Sequence, residues 1–385
     1  MPYRIYKGEA VPIKSWCPDP EEGTLRQAKN MAALPIVFSH VCLMPDAHEG
    51  YGMPIGGVIA ARNIVIPNAV GVDIGCGMRA VKTSLKEIGT DEIKQIMSGI
   101  RARIPLGFKH HKNRQTLPDH LLNPDGEICR KELKDLAFQI GTLGGGNHFI
   151  EIQKGSDGHI WFMIHSGSRN LGKQVAAYFT KKAREINEKS PKPLPGSYDL
   201  AGFKEDSEIG KAYLNEMQYC LDFAKANREK MSDFIKEAIE EIVSCNFFSD
   251  IDVHHNYAAS EKHLGEKVIV HRKGAISAKH GETGIIPGSQ GTASYIVKGL
   301  GNPESFCSSS HGAGRKMGRN EAKKRLDLQY EKQKLDERGI IHAIRSERDL
   351  DEAPGSYKNI DEVMRNQSDL TEICLKLEPL AVIKG

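Results

Sequence analysis

The sequence predicts a mixed α/β fold, α+β in character, rather than a doubly wound parallel sheet. Short apolar runs of β type lie beside glycine clusters, as in VGVDIGCGMRAV, HFIEIQ, WFMIHSGSR and KVIVHRKGAI. Longer segments carry apolar residues at three- and four-residue spacing, which indicates amphipathic helices. Strands and helices follow one another without a regular βαβ rhythm, so a doubly wound sheet is not expected.

Helical spacing of apolar residues predicts four helices, at 86–103, 173–188, 208–245 and 319–337. The third is the longest, and the fourth is strongly charged. Two other segments, 107–126 with KHHKNR at its centre and 189–206, are predicted to be irregular and to lie at the surface. We find no internal repeat and no low-complexity segment.

The composition is ordinary for a soluble globular protein, with 39% apolar and 27% charged residues. A chain of 385 residues can form one large domain or two ordinary ones. The net charge of +3, from 53 basic and 50 acidic side chains, says little about nucleic acid, so any basic surface must be local. Aromatic residues make up only 6% of the chain, which gives no sign of a base-stacking surface.

The sequence predicts a cytoplasmic protein with free thiols. Residues 1–16 are charged from the fourth position and contain no apolar core of the kind a secretory signal needs. No stretch approaches 18 uninterrupted apolar residues, so no membrane span is expected. The eight cysteines are scattered without a CxxC pair, which is typical of a reducing compartment and leaves any of them free to bind a metal.

Glycine is concentrated in clusters that contain or lie beside His, Asp, Ser or Cys and that adjoin apolar runs. Glycine at the junction of a strand and a turn lets the backbone approach a ligand closely. We therefore expect one site assembled from many loops, and the six clusters are 50–57, 71–77, 141–146, 167–172, 281–291 and 312–318.

The first pair of candidate ligands is Asp73 and Cys76 in VGVDIGCG. They lie three residues apart on a glycine-flanked turn, where a carboxylate and a thiolate can face one point. Alone, the segment is equally compatible with a tight turn that contains a buried cysteine.

Three further segments supply histidines: His148 in GTLGGGNHF, His165 in WFMIHSGSRNLG, and the pair His254 and His255 in DVHHNYA. Adjacent residues of a strand point to opposite faces, so at most one of the pair is expected in a given site. Any single histidine is more often a satisfied polar residue than a ligand. Four glycine-bracketed segments together favour a metal site, and ligand softness alone favours zinc.

Two segments are typical of anion sites. GIIPGSQGTASY offers backbone N–H groups with the hydroxyls of Ser289, Thr292 and Ser294, although it lacks the GK[ST] of a Walker loop. FCSSSHGAGRKMGR places His311 in a turn of small residues with Arg315 close behind. Such a turn before a helix suits phosphate binding, and its histidine could attack phosphorus. The alternative is an exposed basic helix start.

Nine segments in order resemble the RtcB family of RNA ligases, from residue 44 to the C-terminus. They are MPDAHEGYGMPIGG, VGVDIGCGMRA, GTLGGGNHFIE, HSGSRNLG, HHNYA, HRKGAI, PGSQGTASY, SSSHGAGR and the terminal IKG. The resemblance covers nearly the whole chain. It implies an RtcB-like α/β fold, with residues 1–385 forming a single catalytic domain around a deep metal-binding cleft.

The resemblance implies two Mn²⁺ ions bridged by the thiolate of Cys76. His148 and His165 would complete the ligands of one ion, and Asp73 and His255 those of the other. Manganese replaces zinc on this basis, while zinc binding stays open. His255 is preferred to His254 because its HN pair matches the family motif.

The resemblance also implies that GTP is the cosubstrate and that His311 forms a histidine–GMP intermediate. RNA with a 3′-phosphate, or a 2′,3′-cyclic phosphate opened first, would be guanylylated and then joined to a 5′-hydroxyl. The implied contacts of the guanylate are Asn147, Glu151, Asn256, Ser289, Ser294, His311, Gly312, Ala313, Gly314 and Lys384.

Other implied roles concern RNA and the metal surroundings. Arg169 and Arg315 are candidates for contacts with phosphate, and Asp46 and His48 are expected to support the metal site. The expected protein is a monomer that acts on tRNA halves or broken RNA, with an archease-type activator as a candidate partner. The segment 104–130 is short, which leaves the RNA preference open. Two other functions are compatible with parts of the pattern: a metal-dependent phosphoesterase, and a non-catalytic RNA-binding protein that uses the basic loops 109–114 and 315–325.

Overall fold

The computed structural model describes residues 3–385, and within them the chain forms eight α-helices and seventeen strands. The helices are α1 (Glu22–Ala32), α2 (Thr90–Arg103), α3 (Glu127–Gln139), α4 (Asn170–Glu188), α5 (Glu208–Glu240), α6 (Arg319–Arg325), α7 (Leu328–Asp336) and α8 (Ile360–Arg365). The strands are β1 (Arg4–Tyr6), β2 (Ile13–Ser15), β3 (Val37–His48), β4 (Ile55–Ala61), β5 (Ile64–Val65), β6 (Gly77–Thr83), β7 (Phe149–Gly155), β8 (Ile160–Ser166), β9 (Phe203–Lys204), β10 (Phe247–His254), β11 (Asn256–His263), β12 (Glu266–Lys273), β13 (Ala275–Ser277), β14 (Thr283–Ile286), β15 (Ser294–Gly299), β16 (Ser308–Ser310) and β17 (Thr371–Lys384).

Two large sheets organise the molecule. One has six strands in the order β1-β2-β3-β4-β12-β11, and the other has seven in the order β10-β6-β8-β7-β17-β15-β14. Every pairing in the seven-stranded sheet is antiparallel, whereas β2 and β3 run parallel in the other sheet. The prediction of a mixed α/β fold without a doubly wound parallel sheet is confirmed.

The seven-stranded sheet is buried on both faces. Along β8, Phe162 and Ile164 pack in a cluster with Ile100 of α2 and Ile235 of α5. The alternate positions Trp161 and Met163 belong to a different cluster on the opposite face. A strand buried on both sides needs a continuous apolar run, which explains the sequence IWFMI.

The C-terminal strand β17 lies between β7 and β15 in the seven-stranded sheet. Its last residue, Lys384, pairs with Phe149 at the start of β7. The chain terminus is therefore fixed beside the segment that carries His148.

Three of the four predicted helices correspond to α2, α4 and α5, with ends that differ by up to five residues. The fourth prediction, one helix over 319–337, is wrong because the chain forms α6 and α7 there. The carboxylate of Asp327 accepts a hydrogen bond from the backbone N–H of Tyr330 at 2.8 Å, so it caps a new helix. Helices α1, α3 and α8 were not predicted. Within residues 3–385, no helix is both long and apolar enough to cross a membrane.

Candidate functional site

Three ligand-type side chains meet at one end of the seven-stranded sheet. Cys76 precedes β6, His148 precedes β7, and His165 lies near the end of β8, which pairs with both strands. Their register places Met78 and Phe149 opposite His165. The Sγ atom of Cys76 consequently lies 3.4 Å from Nε2 of His148 and 3.3 Å from Nε2 of His165. All three side chains are buried, and their ligand atoms lie within 4.8 Å of one another.

The histidine tautomers suit metal binding. Nδ1 of His148 donates to the carbonyl of Leu143 at 2.9 Å, and Nδ1 of His165 donates to the carbonyl of Asn147 at 3.2 Å. With Nδ1 protonated, each Nε2 presents its lone pair to Cys76. Backbone acceptors of this kind commonly orient histidine ligands.

Asp73 and His255 border this cluster. The Oδ2 atom of Asp73 lies 3.0 Å from Nε2 of His148, and the rings of His255 and His165 have centroids 5.1 Å apart. Nδ1 of His255 is buried and has no hydrogen-bond partner within residues 3–385. His254 instead lies with Nδ1 3.1 Å from the carbonyl of Gly75. The structure thus brings all five predicted ligands to one region and places His254 apart from them.

The electrostatics of the cluster favour a bound cation. Burial and the neighbouring Asp73 carboxylate raise the pKa of the Cys76 thiol well above its usual value. Burial and the charge of His148 lower the pKa of His165 well below its usual value. Burial raises the pKa of Asp73, but the neighbouring side chains of His148, Cys76 and Arg169 together outweigh burial and lower that pKa overall. A bound divalent cation would be the largest charge in the cluster, so it would lower the pKa of the Cys76 thiol and favour the thiolate. The donor set and the unpartnered nitrogen of His255 therefore fit a metal centre.

Glycine is required at Gly144, in the loop that carries His148. The backbone there has φ of 95°, a conformation that residues with side chains rarely adopt. An added Cβ would lie 2.1 Å from Nη1 of Arg169 and 2.5 Å from Nδ1 of His148. Any larger residue would therefore displace the loop that carries His148.

Asn227, a buried residue of α5, holds two of the ligand-bearing loops. Its Oδ1 accepts from the N–H groups of Gly141 and Thr142 at 2.8 and 3.1 Å. Its Nδ2 donates to the carbonyls of Thr142 and Gly167 and to the hydroxyl of Ser166, at 3.0 to 3.2 Å. One amide thereby fixes the loops of His148 and His165 relative to each other.

The next residue, Arg228, holds the remaining loops. Its side chain is fully buried, and Nη1 donates to the carbonyls of Gly75 and Ser166 at 3.1 and 3.0 Å. Nε donates to Asp252 at 2.8 Å, and Nη2 donates to the same carboxylate. Asp252 belongs to β10, which leads directly to His255. Burial opposes ionisation of Asp252, but Arg228 more than offsets this and lowers the pKa of that carboxyl.

Arg228→Met is therefore expected to lower the free energy of unfolding by about 3–5 kcal/mol, because the buried Asp252 carboxylate loses its closest cationic partner and keeps only Arg79, at 3.9 Å. Chemical denaturation followed by circular dichroism measures this loss. Lys211→Met, at an exposed position of α5, is the control and should stay within about 0.5 kcal/mol of the wild type. Equal stability of the two variants would mean that Arg228 does not hold the loops.

A cavity of about 1000 Å³ adjoins the metal-ligand cluster. It is bounded by His48 from the six-stranded sheet and by Phe149 from the seven-stranded sheet, so both sheets contribute walls. The predicted residues that line it are Asn147, Glu151, His165, Ser289, His311, Gly312, Ala313, Gly314, Arg315 and Lys384.

His311 is oriented by Asp46. Nδ1 of His311 lies 2.7 Å from Oδ2 of Asp46, which also accepts from the backbone N–H of His311 at 3.1 Å. The Asp46 side chain is fully buried, and the ring of His311 lies 4.8 Å, centroid to centroid, from that of His255. Asp46 was expected to support the metal site, and in the structure its carboxylate contacts His311. His48 bonds the Asp46 carbonyl at 2.9 Å and supports the same strand.

A buried carboxyl, that of Glu151, lines the cavity. Glu151 is 3% exposed, and burial raises its pKa to about 8 against the smaller, opposite effects of Gln153 and Lys384. Gln153 donates to Glu151 and, at 3.2 Å, to the hydroxyl of Ser294. A buried carboxyl of this kind can form hydrogen bonds with the polar edge of a ring that enters the cavity.

Lys384 joins a charged network on the cavity wall. Its Nζ lies 2.8 Å from Oε2 of Glu352 and 5.7 Å from the centroid of the Phe149 ring. Glu352 also contacts Arg315 at 3.4 Å and Arg319 at 3.0 Å. Burial raises the pKa of Glu352, but Lys384, Arg319 and the hydrogen bond from Tyr357 together outweigh burial and lower that pKa. The last lysine is therefore held in place by an ion pair.

The other predicted contacts have structural partners. The Asn256 amide donates to the carbonyl of Asp73 at 3.0 Å and accepts from the N–H of Gly274 at 2.8 Å. Ser289 lies 3.0 Å from the hydroxyl of Thr292. The guanidinium of Arg169 donates to Thr142 at 2.9 Å and to the carbonyl of Gly107 at 3.0 Å, which ties it to two loops.

Sequence reasoning missed Asn227, Arg228 and Glu352. The first two lie inside a long helix, where the sequence offers no sign that buried polar residues face distant loops. Glu352 lies in the charged segment SERDLDEAPG, which is typical of solvent-exposed residues. The turn of SSSHGAGR made His311 a candidate from sequence, whereas its pairing with Asp46 is a contact between positions 265 residues apart.

Comparison with known families identifies one match that covers nearly the whole chain. The segments 27–127 and 123–385 match the family model described as "tRNA-splicing ligase RtcB". The matched segments contain all the residues of the cluster and cavity named above.

Individual relatives are similar along their full lengths. The chain is 38% identical to "RNA-splicing ligase RtcB" of Escherichia coli strain K12, with all of both chains covered. It is 33% identical to "tRNA-splicing ligase RtcB" of Nanoarchaeum equitans strain Kin4-M and 31% identical to the protein of that name from Thermococcus kodakarensis. Those two alignments cover all of this chain and 95% of each relative.

Proposed function

This chain belongs to the RtcB family of RNA ligases, and from that premise we propose that it joins an RNA 3′-phosphate to a 5′-hydroxyl through a GMP adduct on His311. The family supports a role in tRNA splicing or RNA repair. The observation that carries the proposal is the pair that the buried Asp46 forms with His311, which lines a cavity beside the cysteine–histidine cluster. The cavity walls come from both sheets, which supports one catalytic domain.

His311 is suited to attack phosphorus because Asp46 fixes its tautomer. Nδ1–H donates to the carboxylate, so Nε2 retains its lone pair. That lone pair would form a bond to the α-phosphorus of GTP while the bond to the β-phosphate oxygen breaks and pyrophosphate leaves. Asp46 offsets the positive charge that develops on the ring.

Two transfers would complete the reaction. An oxygen of the RNA 3′-phosphate attacks the phosphorus on His311, the N–P bond breaks, and the RNA carries a guanylate. The 5′-hydroxyl of the second RNA then attacks the 3′-phosphorus, its proton is lost to solvent, and GMP leaves. Because a free phosphate is a poor electrophile, the guanylate provides the leaving group. A cyclic phosphate end would first be opened by water.

The same cavity supports guanine recognition. Glu151 and Lys384 lie on its lining with Ser289 and Asn147, where they can contact the base or ribose of the nucleotide. The raised pKa of Glu151 allows it to donate a hydrogen bond as well as to accept one. Asn256 does not line the cavity, and it would contribute by holding the turn that carries Asp73 through a hydrogen bond to the Asp73 carbonyl.

The ligand cluster would hold two divalent ions, with Cys76 shared, His148 and His165 on one ion, and Asp73 and His255 on the other. When bound, Mn²⁺ would supply positive charge that offsets the charge on the phosphoryl oxygens during transfer. The carbonyl acceptors behind His148 and His165 orient their rings for this task. Because thiolate and imidazole also suit zinc, zinc is the competing ion to test.

Incubation of the purified protein with GTP labelled at the α-phosphate tests the proposal. We expect an acid-labile covalent label that requires Mn²⁺ and does not form with labelled ATP. RNA with a 3′-phosphate should then discharge the label. The phosphoesterase alternative predicts the opposite pattern, with phosphate released from the RNA without GTP and no labelled protein.

Deletion of Lys384 and Gly385 is expected to weaken GTP use much more than stability. The ion pair of Lys384 with Glu352 places its ammonium on the cavity lining, so its loss should raise the GTP concentration needed for half-maximal labelling about tenfold or more. The melting temperature should fall by only about 2–4 °C. Lys376→Met, on the same strand, is the control. Normal labelling of the truncated protein at limiting GTP would exclude a role for the tail.

A further inference from the structure

We propose that Phe108 and the basic residues after it form a base-stacking platform for single-stranded RNA at the edge of the ligation site. Phe108 is 97% exposed, the largest exposed fraction among the large hydrophobic side chains of residues 3–385. It opens the sequence FKHHKNR in the loop between α2 and α3. This proposal rests on the proposed ligase function, since it names how the RNA is held.

The loop is fixed to the metal-ligand segment. The N–H of Gly107 donates to the carbonyl of Gly144 at 3.0 Å, and its carbonyl accepts from Arg169. Gly144 is followed three residues later by Asn147, which lines the cavity. Leu143, just before Gly144, accepts from Nδ1 of His148. Phe108 is thus one residue from a backbone contact with the loop that orients a metal ligand.

The residues after Phe108 are held in a defined conformation. The N–H of Lys109 donates to Leu106 at 3.2 Å, and the N–H of His111 donates to Phe138 of α3 at 3.0 Å. The His111 ring also bonds the carbonyl of Gly141 at 3.2 Å. A loop anchored in this way presents its aromatic ring at little further entropic cost when RNA binds.

The positive charges of the residues that follow Phe108 favour binding of nucleic acid. Lys109, Lys112 and Arg114 are exposed, and no carboxylate within residues 3–385 forms an ion pair with them. Three exposed cations that follow an exposed aromatic residue in the same loop are the combination by which proteins bind unpaired strands, because cations contact phosphates while bases stack on the ring. A paired helix does not expose base faces, so the platform fits a single-stranded end.

The test measures binding of a short single-stranded RNA with a 3′-phosphate, without GTP, so that it is independent of adduct formation. Phe108→Ala should weaken binding about five- to a hundredfold, and Phe108→Trp should restore it. Phe248→Ala, at another exposed aromatic position, is the matched control and should bind as the wild type does. Duplex RNA of equal length should bind equally to wild type and Phe108→Ala.

The contribution of the three cations is tested separately, by the salt dependence of RNA binding. Replacing Lys109, Lys112 and Arg114 by Gln should reduce the slope of log affinity against log salt concentration by about two. Labelling with GTP should be unchanged in all these variants, because none of the altered residues lines the cavity. Binding of single-stranded RNA by Phe108→Ala that matches the wild type would overturn the proposal and leave the loop as a surface for a protein partner. Loss of GTP labelling in Phe108→Ala would equally overturn it, since the loop would then only support the metal site.

Discussion

His311→Ala is expected to reduce ligation of a 3′-phosphate end to a 5′-hydroxyl end by at least about a thousandfold. The substitution removes the imidazole whose Nδ1 is held by Asp46 and whose Nε2 is the proposed nucleophile. Loss of a covalent nucleophile typically has effects of this size or larger. The variant should still bind Mn²⁺, because the proposed ligands are other residues. Sealing of RNA supplied with its 3′-phosphate already guanylylated should be retained in part, since that step bypasses the histidine.

His120→Ala, at an exposed histidine remote in sequence from the cavity segments, is the matched control and should ligate normally. If His311→Ala lost both ligation and sealing of the guanylylated RNA, the residue would not be specific to nucleotide activation. Circular dichroism of the variant separates this result from simple unfolding.

Cys76→Ala is expected to lower metal affinity by at least about a hundredfold and to abolish labelling by GTP, while the fold is kept. The thiol lies between His148 and His165 at 3.4 and 3.3 Å, so its removal takes a donor from the centre of the cluster. Cys76→Ser should be nearly as damaging, because a serine hydroxyl is not ionised at neutral pH. Metal titration and GTP labelling measure the two effects.

Cys220→Ala serves as the control, since Cys220 is also buried and is not among the proposed ligands. It should retain metal binding even if its stability falls. Normal ligation by folded Cys76→Ala in Mn²⁺ would contradict the shared-ligand assignment and with it the two-metal arrangement.

The fold class could be predicted because it follows from the apolar patterns of individual strands and helices. The apolar run around His165 and the helical spacing over 208–245 reflect burial that each element needs by itself. The split of 319–337 was missed because it depends on whether the Asp327 side chain turns back to cap a new helix, and the charged pattern continues across it. Spacing alone does not distinguish a capping aspartate from an exposed one.

The site shows the same division. Glycine-bracketed candidates such as Cys76 and His148 could be proposed from sequence because reactive side chains on tight turns are unusual locally, and the structure brings these two together. Asn227 and Arg228 were not, because their partners lie in loops up to 153 residues away, and a buried polar residue in a helix looks like any other in sequence. Phe108 is an intermediate case, because its segment 107–126 was predicted to lie at the surface, whereas the contact of the neighbouring Gly107 with Gly144 is seen only in the structure.

Peptide mapping of the guanylylated protein is the most direct test of the central claim. The wild type is treated with GTP and Mn²⁺, digested under conditions that preserve phosphoramidates, and sequenced by mass spectrometry. The account predicts GMP on the peptide that contains SSSHGAGR, attached to His311. GMP on a lysine of the cavity lining, such as Lys316 or Lys384, or on His48 would contradict it.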